Sequence, residues 1–206
     1  MNSPETPGSD SDRYWKQCLN VVYIILGIWG METNYGGYTG SFDALRSLAT
    51  LAFDGRREEL FTRELIAALQ MIDQGKARRE QMIGSWAGAL GNPQFLPTSY
   101  LRHAVDFDGN GKANIWGSRS DTVGSIANYL KDYGWVRGVP WGVKVRVPAN
   151  FDRSAIIETQ PPAECSRVYA KHSRMLPISE WRAMGIAIAD TKGFPSDNTL
   201  ASLVEV

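Results

Sequence analysis

No sign of charge is in excess in this chain: twenty-two basic residues face twenty-two acidic ones. No net field therefore draws it to nucleic acid or to an anionic membrane, and a charged partner has to be recognised locally. Cysteine is scarce. Cys18 and Cys165 match neither a metal-site spacing nor a disulfide-rich framework, and read either as a pair in an oxidising compartment or as two buried thiols. The two histidines, His103 and His172, have no second histidine or cysteine at ligand spacing, which argues against zinc. Long apolar runs are missing as well. The stretch Val21 to Met31 has eleven residues where a bilayer span needs ~20. No small-x-small cleavage site follows it, so it reads as a core helix and not as a signal segment.

What is present is the composition of a globular domain, 43% hydrophobic and 21% charged, in a chain long enough for one sizeable domain and an appendage. Residues 1–12 (MNSPETPGSDSD) have almost nothing apolar and are expected to form a disordered leader. From Trp15 to Met31 the apolar pattern predicts a helix that Gly36 and Gly37 stop. Ser41 is a candidate N-cap for a helix with Leu45, Leu48, Ala49 and Ala52 on one face, broken at DGRR, 54–57. A further helix is expected from about Arg63 to Gln74, with Leu65, Ala68, Leu69 and Ile72 facing the core and Gly75 as the stop. Another begins near Ser120 or Asp121, carries Val123, Ile126, Ala127 and Leu130, and ends at Gly134. After Trp141 the period changes to two at Val143, Val145 and Val147, which predicts a strand. Pro161 and Pro162 and a short helix from Ser179 to Met184, closed by Gly185, follow. The expected class is mainly α, of α+β type, divided as a leader to 12, a helical core over 13–142 and a small β-containing section over 143–206.

Three stretches are able to carry chemistry. Glu32 follows Gly-Ile-Trp-Gly-Met and precedes Thr-Asn-Tyr-Gly-Gly. A carboxyl set against Trp29 at a helix C-terminus would meet desolvation and the negative dipole end, both of which favour the protonated form that a general acid needs. The other reading of the same position is a solvated helix-end carboxylate. The second stretch, GSWAGALGNPQFLPTSY over 84–100, sets glycines among Ser85, Asn92 and Gln94. These are uncharged groups suited to sugar hydroxyls and acetamides, and Trp86, Phe95 and Tyr100 offer flat faces for sugar rings. The alternative is a Gly/Pro-rich loop with its aromatics in the core. No GxSxG elbow surrounds Ser85, so a serine nucleophile is not expected.

The third stretch, DFDGNGKANIWG over 106–117, has the spacing of an EF-hand loop. Asp106, Asp108 and Asn110 fall at positions 1, 3 and 5, Gly111 at 6, the Lys112 carbonyl at 7 and Asn114 at 9. Position 12 is Gly117 where a bidentate glutamate would stand, so calcium is expected to bind weakly unless Asp121 swings in; a metal-free Asx-turn loop is the alternative. No second carboxylate presents itself as a two-carboxylate glycosidase requires. Asp43 and Asp54 read better as helix-terminus residues.

Taken in order and spacing, GIWGMETNYG (27–36), LATLAFDGRR (48–57), GSWAGALG (84–91), QFLPTSY (94–100), the Asp-rich loop with Trp116, and ANYL (127–130) resemble the lytic murein transglycosylase B family. The match runs over about 24–142 and weakly to about 187. The resemblance implies a lysozyme-like helical core with a long sugar groove, Glu32 as the single acid/base, Ser85 and Gln94 as polar groups of the groove, and Tyr129 as an aromatic beside the catalytic carboxyl. Asn92 and Tyr35 join them as expected substrate contacts, and the family's EF-hand-like loop corresponds to 106–117, with Asp121 as a further candidate ligand. It implies cleavage of the bond between N-acetylmuramic acid and N-acetylglucosamine to 1,6-anhydromuramoyl ends, with no cofactor beyond a possible structural calcium. The implied partner is the peptidoglycan glycan strand, with neither nucleic acid nor a transmembrane segment, and the implied place is the periplasm or cell envelope, although no export signal is visible. Family members have a helical region before the Glu motif and a Tyr-Asn-containing segment after the β section; neither is expected here, so the chain reads as truncated at both ends. A hydrolysing muramidase and a catalytically impaired peptidoglycan-binding fragment are the competing readings.

Overall fold

The computed structural model describes residues 10–136, 142–157, 172–189 and 196–204, with the backbone alone at 10–20 and at 188. Residues 1–9 of the expected leader, Pro161, Pro162, Cys165 and the Cys18 side chain lie outside the described residues. The chain divides into two units, Met1–Arg137 and Gly138–Val206.

The first unit opens with α1 (Asp10–Thr33), which takes in the last residues of the expected leader. Its buried positions Ile25, Trp29 and Thr33 recur every four residues, the spacing that lines up one helix face. A two-residue strand β1 (Phe42–Asp43) leads into α2 (Ala44–Asp54). The N-cap is Asp43, whose carboxylate accepts the Arg46 N–H; the expected cap, Ser41, lies two residues too early to reach that donor. Gly55, in the left-handed conformation, closes α2, so Asp43 and Asp54 stand at the two ends of one helix.

α3 (Glu58–Asp73) starts a turn earlier than its apolar pattern indicated and buries Glu64, Ala67, Ala68 and Met71. Leu69, expected inside, is half exposed. The reason is Glu64, only 1% exposed. Its two carboxylate oxygens accept the backbone N–H and the hydroxyl of Thr98, at 2.9 and 2.8 Å. Thr98 lies in the first turn of α4 (Pro97–His103), a helix without a cap of its own, so the carboxylate of α3 supplies the missing acceptor. β2 (Ile83–Gly84) pairs antiparallel with β1. α5 (Arg119–Asp132) is capped by Ser118, whose hydroxyl accepts the Asp121 N–H.

Among the described residues this unit has two cores. Leu48, Ala68, Met71, Met82, Leu90, Phe95, Tyr100 and Ile115 pack around α2, α3 and α4, while Ile25 and Trp29 of α1 meet Ile126 of α5, with Val123, Ala127 and Leu130 beside them. The second unit has its own core of Ile156, Leu176, Trp181 and Ile186. β3 (Val145–Arg146) pairs with β5 (Ala187–Ile188), and β4 (Leu176–Pro177) pairs with β6 (Leu200–Ala201) around the short α6 (Ile178–Ala183). The expected alternation holds locally, since Val145 and Val147 pack on this core and Arg146 is exposed. No helix among the described residues is long and apolar enough to cross a membrane.

Candidate functional site

Glu32 is the penultimate residue of α1. The buried stripe of that helix is Ile25, Trp29 and Thr33, and a residue one step before Thr33 is rotated about 100° away from it. Glu32 is accordingly exposed. Of the two readings of this position, the solvated helix-end carboxylate is the one observed, and Trp29 does not cover the carboxyl: the indole is turned into the α1–α5 core and touches Tyr35 edge-on, with ring centroids 5.8 Å apart. The placement at a helix C-terminus stands.

The chain after Glu32 turns sharply. Asn34, Tyr35 and Gly36 have φ of 50°, 58° and 87°, a conformation that costs a non-glycine residue of order 1–3 kcal/mol and gathers at functional sites. Gly36 is required on a second count, because a Cβ there would lie 2.5 Å from the Asn92 amide oxygen. Four residues on, a Cβ on Gly40 would lie 2.0 Å from the Gly84 carbonyl oxygen. These two close approaches bring the segment after Glu32 against the loop that carries Ser85, Asn92 and Gln94.

Within that loop the expected polar groups differ in what they leave available. The Ser85 hydroxyl oxygen accepts the N–H groups of Ala87 and Ala89, at 3.3 and 3.0 Å, and its own proton has no acceptor among the described residues. Gln94, the third non-glycine residue with positive φ, donates its amide N–H groups to the carbonyls of Thr39 and Gly91, at 3.0 and 2.9 Å. Its amide oxygen is the end left over. Asn92 is 6% exposed and donates to Thr122 Oγ1 at 3.2 Å and to the Trp116 carbonyl. It is braced from beneath the surface, and its amide oxygen has no hydrogen-bond partner among the described residues. Of the aromatics expected to face sugars, Trp86 is exposed, whereas Phe95 and Tyr100 belong to the core; the Tyr100 hydroxyl donates to the carbonyls of Lys76 and Ala113.

Tyr129 stands on α5 in a cluster of rings, 5.6 Å from Phe95, 5.0 Å from His103 and 4.6 Å from Tyr133. Burial, and then the neighbouring Tyr133, raise its phenol above the ordinary range. His103, 2% exposed, is pushed below its ordinary range by burial; Asp132 opposes this from 3.7 Å, and Arg102 adds to it. Burial prevails because Asp132 is already held by Arg102 at 2.6 Å. The Arg79 guanidinium beside Asp43 and the Arg46 N–H hold the Asp43 carboxyl below the usual carboxylate range.

The Asp-rich loop is more closed than its spacing indicated. Asp121 needs no swing: it is fully buried in the first turn of α5, and oxygens of Asp106, Asp108 and Asp121 lie within 4.8 Å of one another. Its carboxylate accepts the N–H groups of Phe107, Asp108 and Asn114. Asp106 accepts from Asn110 and Gly111, and the Asn110 amide oxygen accepts the Lys112 N–H. The Asn114 amide oxygen is taken up by the N–H groups of Trp116 and Gly117. Three clustered carboxylates form a hard oxygen set of the kind that holds calcium. Sequence reasoning missed Thr33 and Glu64, the one because its partner Asn92 stands fifty-nine positions away and the other because a buried glutamate opposes every burial preference.

Residues 22–206 match the family model described as the transglycosylase SLT domain. Over 128 residues the chain is 46% identical to the membrane-bound lytic murein transglycosylase B of Escherichia coli K12, an alignment covering 62% of this chain and 35% of that protein. Among solved structures, SltB3 of Pseudomonas aeruginosa in complex with NAG-anhNAM-pentapeptide superposes with a TM-score of 0.72 at 45% identity, over 88% of this chain and 45% of that one. Escherichia coli Slt35 in complex with calcium superposes with a TM-score of 0.68 at 32% identity, over 94% of this chain and 58% of that one. The chain thus spans about a third of the length of its curated relative and about half that of the solved structures.

Proposed function

The chain belongs to the transglycosylase SLT domain family, and on that premise we propose that it cleaves the β-1,4 bond between N-acetylmuramic acid and N-acetylglucosamine in peptidoglycan without hydrolysis, with Glu32 as the single acid/base. The observation that carries this reading is the exposed carboxyl of Glu32 at the end of α1, followed at once by a left-handed turn that packs against the loop of Ser85 and Gln94.

The Glu32 carboxylic acid donates its proton to the glycosidic oxygen as the C1–O bond of the muramic residue breaks, and the oxygen leaves as the 4-hydroxyl of glucosamine. The muramic C6 hydroxyl attacks C1 within the same sugar and passes its proton to the Glu32 carboxylate. A 1,6-anhydro ring forms and the acid is regenerated, with no water consumed. Intramolecular attack replaces the second carboxylate and the bound water of a hydrolase. The desolvation that the protein does not supply would come from the glycan as it covers the carboxyl. Ser85 offers a hydroxyl donor and Gln94 a fixed amide acceptor, which match the carbonyl and the N–H of an acetamido group. Tyr129, Tyr35 and Trp86 would stack on the strand.

No cofactor enters this chemistry. Asp106, Asp108 and Asp121, with Asn110, would hold a calcium ion that ties the loop to α5; its charge would stabilise the fold and take no part in the reaction. Work in the cell envelope follows from the substrate. Exposure of Glu32 also favours a second reading, hydrolysis of the same bond by water. Against it, Asp43, the acid that next follows Glu32 in the sequence, is committed to Arg79 and to the N-terminus of α2.

Replacing Glu32 tests the assignment. Glu32→Gln keeps the shape and loses the transferable proton, so murein cleavage falls by at least ~10²-fold while binding to murein persists. Cleavage within a few-fold of the parent would remove Glu32 from the mechanism.

A further inference from the structure

The backbone after Glu32 runs through three consecutive residues of positive φ, of which Asn34 and Tyr35 are not glycines. Such a run persists only where the surroundings over-determine it. The surroundings that do so converge on Thr33, the residue next to Glu32, and on Asn92, fifty-nine positions away.

The Thr33 side chain is 3% exposed. Its hydroxyl donates to the Asn92 carbonyl at 2.9 Å, and its oxygen accepts the Gly36 N–H at 3.1 Å, closing the left-handed turn on itself. Asn92 is held in turn at every polar atom but one. Its N–H donates to the Ile115 carbonyl at 2.9 Å, and its amide nitrogen donates to Thr122 Oγ1 and to the Trp116 carbonyl. The remaining amide oxygen abuts Gly36 so closely that no Cβ fits there. Thr122 completes the chain by donating to the Ser118 carbonyl at 2.8 Å. A buried relay thus runs from the end of α1 through the sugar loop to the first turn of α5. Apart from the Asn92 amide oxygen each linking group has its partner, and such a buried polar network rigidifies what it joins.

We propose that Thr33 and Asn92 form a buried clamp that fixes the end of α1 and the left-handed turn beyond it, so that both are positioning residues for the Glu32 carboxyl and Asn92 is no contact for substrate. The clamp rests on the reading of Glu32 as the acid/base. It acts on the approach of the carboxyl to the glycosidic oxygen, where a misplacement of about 1 Å can cost ~10²-fold in rate. It has no part in holding the glycan, and that separates it from the residues of the groove.

The test compares Thr33→Val, which keeps the shape and loses the hydroxyl, with Thr33→Ser, which restores it. Asn92→Asp, which sets an acceptor against the Trp116 carbonyl, and Glu32→Gln complete the series. On soluble muramoyl glycan chains, Thr33→Val and Asn92→Asp are expected to lower kcat by about tenfold or more with KM within about twofold, and Thr33→Ser to return most of the loss. A folded Thr33→Val with kcat within about twofold of the parent, beside an inactive Glu32→Gln, overturns the clamp alone. Turnover by Glu32→Gln overturns the acid/base reading beneath it. A loss confined to KM makes the pair substrate contacts and also overturns the proposal. Amide exchange gives a readout independent of turnover. The Gly36 N–H loses its acceptor in Thr33→Val, so its exchange is expected to rise by about tenfold or more over that of the α3 amides and to recover in Thr33→Ser. Unchanged exchange at Gly36 contradicts the clamp.

Discussion

His103 shows how much the environment of a single side chain decides. It is buried among Phe95, Tyr129 and Tyr133, and burial lowers its pKa from the ordinary 6.5. Between the lowered folded value and the unfolded value, the unfolded chain binds the extra proton. Stability is therefore greatest above about pH 6.5, falls as pH drops through that value, and levels off below the folded pKa. Urea midpoints of the parent are expected to drop between about pH 7.5 and pH 5, and those of His103→Phe to drop less. Equal drops would mean that the proton is taken up elsewhere. Asp43 has the same sign in a lower window: its carboxyl is held down by Arg79, so its contribution is present above the ordinary value of 3.8 and is lost as pH falls through the folded pKa.

At the scale of the element, the Asp-rich loop combines two tasks. Asp121 is buried and satisfies three backbone N–H groups, while Asp106 and Asp108 stand nearer to solvent. Millimolar calcium is expected to raise the melting temperature by binding the folded state. Replacing Asp106 and Asp108 together by Asn should erase that response and leave a folded protein, whereas Asp121→Ala should lower stability with or without calcium, by about 1–3 kcal/mol for the buried N–H groups left unpaired. A melting temperature indifferent to calcium would make the loop a metal-free turn.

The same scale explains what could be read from the sequence. The end of α1, the reading of Asp43 and Asp54 as helix-terminus residues and the apolar side of α5 that meets α1 follow from local rules, because cap chemistry and an apolar stripe need only neighbours within a turn or two. The buried polar residues Asp121, Thr122 and Ser125 of α5 follow from none of these rules. On α3, Leu65, Ala68 and Ile72 pack on the core as their spacing predicts, and Leu69 alone departs, because Glu64 is drawn inward by the N-terminus of α4, thirty-four positions away, and α4 itself is too short to show a period. At Glu32 the sequence allows two readings, a carboxyl set against Trp29 and a solvated helix-end carboxylate, and the structure has the second. The buried stripe at 25, 29 and 33 turns Trp29 inward and Glu32 out, and that spacing was there to be read. The roles of Thr33 and Asn92 depend on pairing across the fold, which no local pattern announces.

Across the whole molecule, every candidate site residue lies in the first unit, from Glu32 to Tyr129, and the second unit keeps a core of its own. With no net charge, no overall field selects a partner, and the proposed recognition by neutral groups such as Ser85 and Gln94 suits a polymer of acetamido sugars. The central claim is that a sugar hydroxyl, and not water, attacks the muramic C1, and digestion of purified murein in heavy-oxygen water with mass analysis of the fragments tests it most directly. The intramolecular hydroxyl has an effective concentration that can reach ~10⁵ M or more, so the released chains are predicted to carry unlabelled 1,6-anhydro ends, one water lighter than hydrolysis products. Heavy oxygen incorporated at free reducing ends would show that water is the nucleophile and contradict the account.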